Sequence, residues 1–405
     1  MYKLRDKSFS TSVEPNLAPL TVAVGGFANM FCIGTVYALS TLQTQLLRLF
    51  GISDVWSFAP FGVAFLGLSI GVLTSASTIL QSGAHVTVIR GTILWGTAVI
   101  GAGLSLSRLK FGLMIICFLF GGIGIGWTYL AVVVLIDQGL PRHALARSAI
   151  GPLGFSTAAA TCFLLSSVIG LEVADAKSLG RMLVLLGVTF TAVGAFTQVL
   201  LPNFSNSAVS PPSVSSTSPS EFFFSILLFF NALPGMTLFA GLLPLASQHM
   251  NGTDCDKMWI LSYCMAALAF GGVLAPCVCA YCGARLTFVI ILCLRGVLLV
   301  LHSRSEGSTL AMCAILAVLF AHGTGFSLIP GLIKNQSSNQ QLFFFGYGRV
   351  LASWGTSGIA GCIVSLIIRS PVGAVPTGEL VVGLLSFSFG TILYFVPSLG
   401  GEFLT

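Results

Sequence analysis

A chain of 405 residues with 55% hydrophobic and only 7% charged positions cannot present an ordinary water-facing surface, where about 25% charged residues is usual. The net charge of +6 is scattered over short connections, without a basic block or an interleaved aromatic patch, so nucleic-acid binding is excluded. All eleven cysteines except Cys255 fall inside or at the ends of apolar segments, where cysteine acts as a small hydrophobe, and no disulfide framework is expected.

Apolar stretches of about 20 residues recur along the chain, each long enough at about 1.5 Å per residue to cross a hydrocarbon core of about 30 Å. Backbone groups in lipid must pair within their own segment, so these stretches are helices and the expected class is all-α. Met1 to Pro19 is polar, with Lys3, Arg5, Asp6, Lys7 and Glu14, and carries no apolar run beside a small-residue site, so no cleaved signal peptide is expected. Twelve spans follow: Leu17 to Thr41, Ser57 to Gln81, His85 to Leu106, Phe111 to Ile136, Ala144 to Leu171, Arg181 to Leu201, Glu221 to Ser247, Lys257 to Cys282, Leu286 to His302, Ser308 to Ile333, Leu342 to Ile368 and Leu380 to Val396.

Between spans six and seven, PNFSNSAVSPPSVSSTSPS (202–220) is too rich in Ser and Pro to bury a core and is expected to be a flexible loop. The chain thus divides into a cytoplasmic tail (1–16), a six-helix bundle (17–201), the loop (202–220) and a second six-helix bundle (221–405). An internal repeat favours that division. A shift of 197 places Gly126 on Gly323, Gly151 on Gly348 and Ser156 on Ser353, and a shift of 200 places Gly83-Ala84-His85 on Gly283-Ala284-Arg285. Two pseudo-symmetric six-helix bundles of this kind are the architecture of the major facilitator superfamily, with a cavity near the bilayer midplane.

Charge does not orient the chain. With both ends inside, eight basic residues (Lys3, Arg5, Lys7, Arg90, Arg142, Arg147, Arg285, Lys334) fall on the inner side and eight (Arg48, Arg108, Lys110, Lys177, Arg181, Lys257, Arg304, Arg369) on the outer. The sequons at Asn203, Asn251 and Asn335 fall on both sides and carry no weight. A plasma membrane and an organelle membrane fit equally.

Span four carries Gly122-Ile-Gly124-Ile-Gly126-Trp127-Thr128-Tyr129, then a short loop with Pro141 and Arg142, then Gly151. This resembles the oxalate:formate antiporter family and the related monocarboxylate transporters. Tyr37 in Gly34-Thr-Val-Tyr37 resembles the family's first-helix tyrosine, the two Gly-Ala-His/Arg turns its Gly-Pro-Arg, and Tyr347-Gly348 before Trp354-Gly355 its helix-eleven pairs. The resemblance implies alternating-access transport, both ends inside, and a substrate contacted by Tyr37, Tyr129 and Trp354. The chain departs from the family by having Trp354 in place of a helix-eleven lysine, Val273 in place of a helix-eight arginine, and Gln81 and Ser82 near the usual Asp-Arg signature. The two-cation dicarboxylate clamp is therefore not implied.

Ionisable side chains at membrane depth are costly, by about 2.5 kcal/mol or more, and mark candidate functional positions. Arg349 in span eleven is the candidate anion-binding group, its alternative being a bond to helix-end carbonyls or lipid phosphate. Arg295 lies mid-span in a ninth helix expected to face outward, and Arg90 near the mouth of span three is placed to snorkel. No Asp or Glu falls in the middle of a span, so His322 is the deep group suited to titrate near neutral pH, unless it simply bonds a neighbouring helix. Tyr37, Trp127, Tyr129, Phe239, Tyr263 and Trp354 are candidate pocket aromatics.

Cys277, Cys279 and Cys282 lack an adjacent fourth ligand, so no metal is expected. Gly121 to Gly126 lies mid-helix without a preceding strand, which excludes phosphate cradling, and no cofactor is expected. No His-Glu-x-x-His, paired intramembrane aspartates or Ser/His arrangement marks an enzyme. The expected function is secondary active or facilitative transport of a small organic anion, a monocarboxylate first, by a monomer whose partners are that solute and the lipid bilayer. The alternatives are transport of a neutral or zwitterionic metabolite such as an amino acid or vitamin, and a non-transporting sensor or scaffold.

Overall fold

A computed structural model describes residues 18–141, 143–169, 175–201, 218–249, 254–304, 308–337, 340–368 and 377–396. The expected tail, most of the Ser/Pro-rich loop (202–217), Arg142, Arg369, Asn203 and Asn251 lie outside the described residues.

All regular structure among the described residues is helical. In chain order it comprises α1 (Ala18–Gly34), a 3₁₀ segment (Thr35–Leu42), α2 (Gln43–Phe50), α3 (Asp54–Ser57), α4 (Ala59–Ser82), α5 (Ala84–Ser107), α6 (Phe111–Gly139) and α7 (Ala144–Ile169). It continues with α8 (Ala176–Leu200), α9 (Pro219–His249), α10 (Asp254–Cys282), α11 (Ala284–Arg304), α12 (Ser308–Gln336), α13 (Gln340–Ile368) and α14 (Thr377–Phe395). Eleven helical stretches are long and apolar enough to cross a bilayer, the first being the continuous run Pro19–Phe50. The protein is a multi-pass integral membrane protein. The eleventh expected span is formed as α13, 29 residues long, but it is not one of those eleven. It carries Arg349, Ser353, Thr356 and Ser357, and it packs against α4 and α9.

Two turns show how the backbone is closed where helices meet. Gly83 and Gly283 have φ of 85° and 79°, a region that side chains with a Cβ rarely adopt. Each ends a helix by donating to the carbonyl four residues back, Gly83 to Ile79 and Gly283 to Cys279, both at 2.8 Å. Each then accepts from the amide four residues on, Thr87 and Thr287, both at 3.1 Å, and from that threonine's hydroxyl at 2.8 and 2.7 Å. The turns predicted at an offset of 200 are thus the same structure made twice.

Pairwise packing recurs in the same manner. Among the first helices α1 packs on α7, α4 on α6, and α5 on both α6 and α8. Among the later ones α9 packs on α13, α10 on α12, and α11 on both α12 and α14. The two sets meet through α4 against α13 and α7 against α10.

Lipid supplies no hydrophobic drive between helices, so close approach through small residues holds them together. A Cβ at Gly122 would sit 2.0 Å from the Ala64 carbonyl oxygen, and one at Gly323 would sit 2.0 Å from that of Leu268. These glycines belong to α6 and α12, facing α4 and α10. Gly122→Ala and Gly323→Ala are expected to lower the melting temperature in detergent or abolish folding. Gly112→Ala, where no atom lies within 4 Å, should melt like the parent.

Candidate functional site

The 3₁₀ segment and helices α6, α7, α10, α12 and α13 converge on a small cavity of about 20 Å³ lined by Tyr37, Tyr129, Gly151, Pro152, Phe155, Leu268, His322, Gly323, Phe326 and Trp354. That volume is room for about one water molecule. No charged side chain lines it.

The wall is an aromatic cluster. Tyr37 stacks on Phe239 at 4.2 Å between ring centroids and meets Phe155 edge-on at 5.4 Å. Trp354 lies 5.1 Å from Tyr129, 5.6 Å from Phe155 and 4.9 Å from Phe326, and His322 stacks on Phe326 at 6.0 Å. Such contacts lock the rings in place. Hydrogen bonding is incomplete, however. The Trp354 indole N–H faces the Tyr37 hydroxyl and the Tyr347 hydroxyl faces that of Tyr129, yet neither Trp354 Nε1 nor the Tyr347 hydroxyl closes a full hydrogen bond. Buried donors left in this state are uncommon, and of the two only Trp354 lines the cavity, where its N–H favours a ligand that accepts.

Four expected site residues, Tyr37, Tyr129, His322 and Trp354, are brought together here from four elements. Two others are placed elsewhere. Trp127 donates its indole N–H to Thr74 Oγ1 at 2.9 Å, on the outer side of the α4–α6 contact. Arg349, expected to hold an anion, makes a bidentate pair with Glu221, from Nε to Oε2 and from Nη2 to Oε1, both at 2.7 Å. Its charge is already answered. Glu221 sits in the first turn of α9, where Ser218 Oγ accepts from the Glu221 amide at 3.2 Å, a position that favours a carboxylate. The Ser-x-x-Glu pattern at 218–221 was the available signal for that partner. Tyr263 is 59% exposed, whereas Phe239 is buried and supports Tyr37 from behind. Arg90 reaches back to Ser82 Oγ at 2.9 Å from an exposed position. Sequence reasoning missed Phe155, Phe326 and Leu268 as wall residues, because nothing distinguishes an inward phenylalanine or leucine from a lipid-facing one before the helices are rotated into place.

Behind His322 lies a second layer. Arg295, fully buried, donates from Nη2 to Asn231 Oδ1 at 2.9 Å, from Nη1 to the Asn231 carbonyl, and from Nε to the Ile291 carbonyl at 3.1 Å. His322 rests against the bare backbone of Gly235, one turn along α9 from Asn231, with Nδ1 lacking a closed hydrogen bond.

Two polar contacts lie toward the ends of the helices. Gln43 Nε2 donates to the Ala240 carbonyl, and Lys334 Nζ donates to Asp137 Oδ1 at 2.6 Å, with Arg147 Nη1 on the same oxygen at 3.4 Å. Gln43 lies in the second half of the run Pro19–Phe50 and Asp137 at the end of the antiparallel α6, so the two contacts lie toward opposite ends of the helices. Asp137 and Lys334 stand 197 positions apart, the offset that superposes the flanking Gly126 on Gly323 and Gly151 on Gly348.

The chain matches no protein-family model and no curated protein. Removing the Glu221 carboxylate should cost stability rather than remove a ligand contact. Glu221→Gln is expected to destabilise the protein by about 1 kcal/mol, a figure kept small because Arg349 remains partly exposed. The double variant Glu221→Gln/Arg349→Gln should recover part of that loss in a thermal melt.

Proposed function

We propose that this protein is a carrier that moves a small organic anion, a monocarboxylate in the first instance, by alternating access, with the two six-helix bundles of the major facilitator arrangement rocking about a midplane site. The observation that carries the reading is the cavity itself. It lies between the two sets of helices, is walled by residues of both, and is too small for an organic solute while polar contacts lie toward either end. A cavity placed between two sets of helices suits alternating access, in which a solute enters when one end parts.

The recurring helix pairings and matching glycine turns support duplicated halves. Residues related by a twofold axis touch one another only near that axis, so the Asp137–Lys334 contact supports an axis running past that end of the helices. Within the cavity, the Trp354 N–H suits a ligand that accepts a hydrogen bond. Arg349 has no part in this reading.

The absence of a charged wall residue favours a second reading, in which the solute is neutral or zwitterionic and aromatic stacking does the recognition. Uptake into liposomes of labelled lactate, pyruvate, formate and oxalate against neutral amino acids, with and without a pH gradient, separates the two. Saturable uptake of a monocarboxylate supports the first; flux of neutral solutes alone transfers the assignment to the second. Binding without flux of any solute would mean a sensor.

Two variants test the site. Trp354→Phe keeps the ring and removes the donor, and should raise the KM for the transported solute about tenfold, the worth of one hydrogen bond to a charged acceptor. In a cysteine-free background, Asp137→Cys/Lys334→Cys and Gln43→Cys/Ala240→Cys, each bridged by a short reducible bis-thiol cross-linker, should stop uptake, with recovery on reduction. Unimpaired flux in both cross-linked forms would sink alternating access at these ends.

A further inference from the structure

Among the described ionisable groups at membrane depth, two are paired with carboxylates, whereas His322 and Arg295 are not. Arg349 faces Glu221, and at the end of α11 His302 bonds Glu379 of α14, both buried. Arg295 stands apart, for none of its hydrogen bonds ends on a carboxylate. A bare cation in a low-dielectric interior is expensive and survives when something answers its charge.

Three observations say that packing does not demand this charge. First, at the offset of 200 that superposes the glycine turns, Arg295 occupies the place of Trp95, a neutral indole that donates to the Cys32 carbonyl of α1 at 2.9 Å. The same slot in the other set of helices is therefore filled without charge. Secondly, at the offset of 197, His322 occupies the place of Ile125, so both departures from the apolar counterpart lie in one set of helices and adjoin each other. Thirdly, Asn231 accepts from Arg295 through Oδ1 while its buried Nδ2 has no partner. An aspartate there would keep the bond, remove the orphan donor and neutralise the guanidinium. The asparagine leaves the charge uncancelled at a cost in stability.

We infer that Arg295, held by Asn231 one layer behind His322, determines specificity by keeping a single uncompensated positive charge that a monovalent anion in the cavity completes. The anion touches His322 and the Trp354 N–H rather than the guanidinium, and its charge is answered through the low-dielectric wall, where Coulombic attraction falls off slowly. One free cation selects one negative charge, so a monocarboxylate is favoured over a dicarboxylate and over its own amide. This inference rests on the carrier reading for its solute and adds the source of charge selection. Arg295 is a positioning residue and not a direct contact.

Asn231→Asp provides the test, because it supplies an internal counter-charge without changing shape. Purified parent, Asn231→Asp and Arg295→Lys proteins are compared for binding by calorimetry and for uptake in liposomes, with benzoate against benzamide and lactate against lactamide. The parent should prefer each acid over its amide by about tenfold or more. Asn231→Asp should melt at the same or a higher temperature and lose the preference, an outcome that a merely structural role for Arg295 does not produce. Arg295→Lys, which keeps the charge, should retain it. Persistence of the acid preference in Asn231→Asp, or its absence in the parent, would overturn the inference. The two readings fail separately: flux without acid preference removes the charge relay and leaves the carrier, whereas preferential acid binding without flux removes the carrier and leaves the relay. If the parent binds neither acid, the relay is overturned.

Discussion

Every backbone amide and carbonyl that crosses lipid must find its partner inside the protein, and the rest of this structure follows from that requirement. It makes each crossing segment helical and leaves the chain only short places to turn, which is why Gly83 and Gly283, able to adopt positive φ, carry the same pair of hydrogen bonds. With the backbone satisfied and the solvent as apolar as the side chains, helices adhere by fit. Gly122 against Ala64 and Gly323 against Leu268 show how little room that fit leaves.

The same solvent makes polar groups conspicuous. Where charge is buried it is mostly cancelled, as in Arg349 with Glu221 and His302 with Glu379. Where it is not cancelled, it lies one layer from an aromatic cavity whose donors are incompletely bonded. Charge, cavity and polar contacts lie together: a small aromatic chamber, a side-chain contact toward either end of the helices, and a wall in which Trp354 Nε1 and His322 Nδ1 lack a closed hydrogen bond. The carrier reading proposed above takes these together.

The helical class and most boundaries were legible from residue type and run length, since apolar residues in runs of about 20 have one stable outcome in lipid. The glycine turns were legible because φ near 80° is a property of glycine itself. Four residues that line the cavity, Tyr37, Tyr129, Trp354 and His322, were singled out in the sequence, the first three through the family resemblance and His322 as a deep titratable group. Arg349 was singled out by depth, but its partner lies 128 residues earlier, and no local pattern joins α13 to the first turn of α9.

Taken alone, the sequence determined the solvent, the helices, the turns and the internal offset, because each is set by residues near one another in the chain. Tertiary structure alone decided which exceptions share a space. It put Phe155 and Phe326 beside Trp354, turned Trp127 away to Thr74, gave Arg349 to Glu221 and left Arg295 with Asn231. The physical reason is rotational. A lipid-exposed helix and a buried one have nearly the same composition, so the face each side chain presents is settled only when the helices pack.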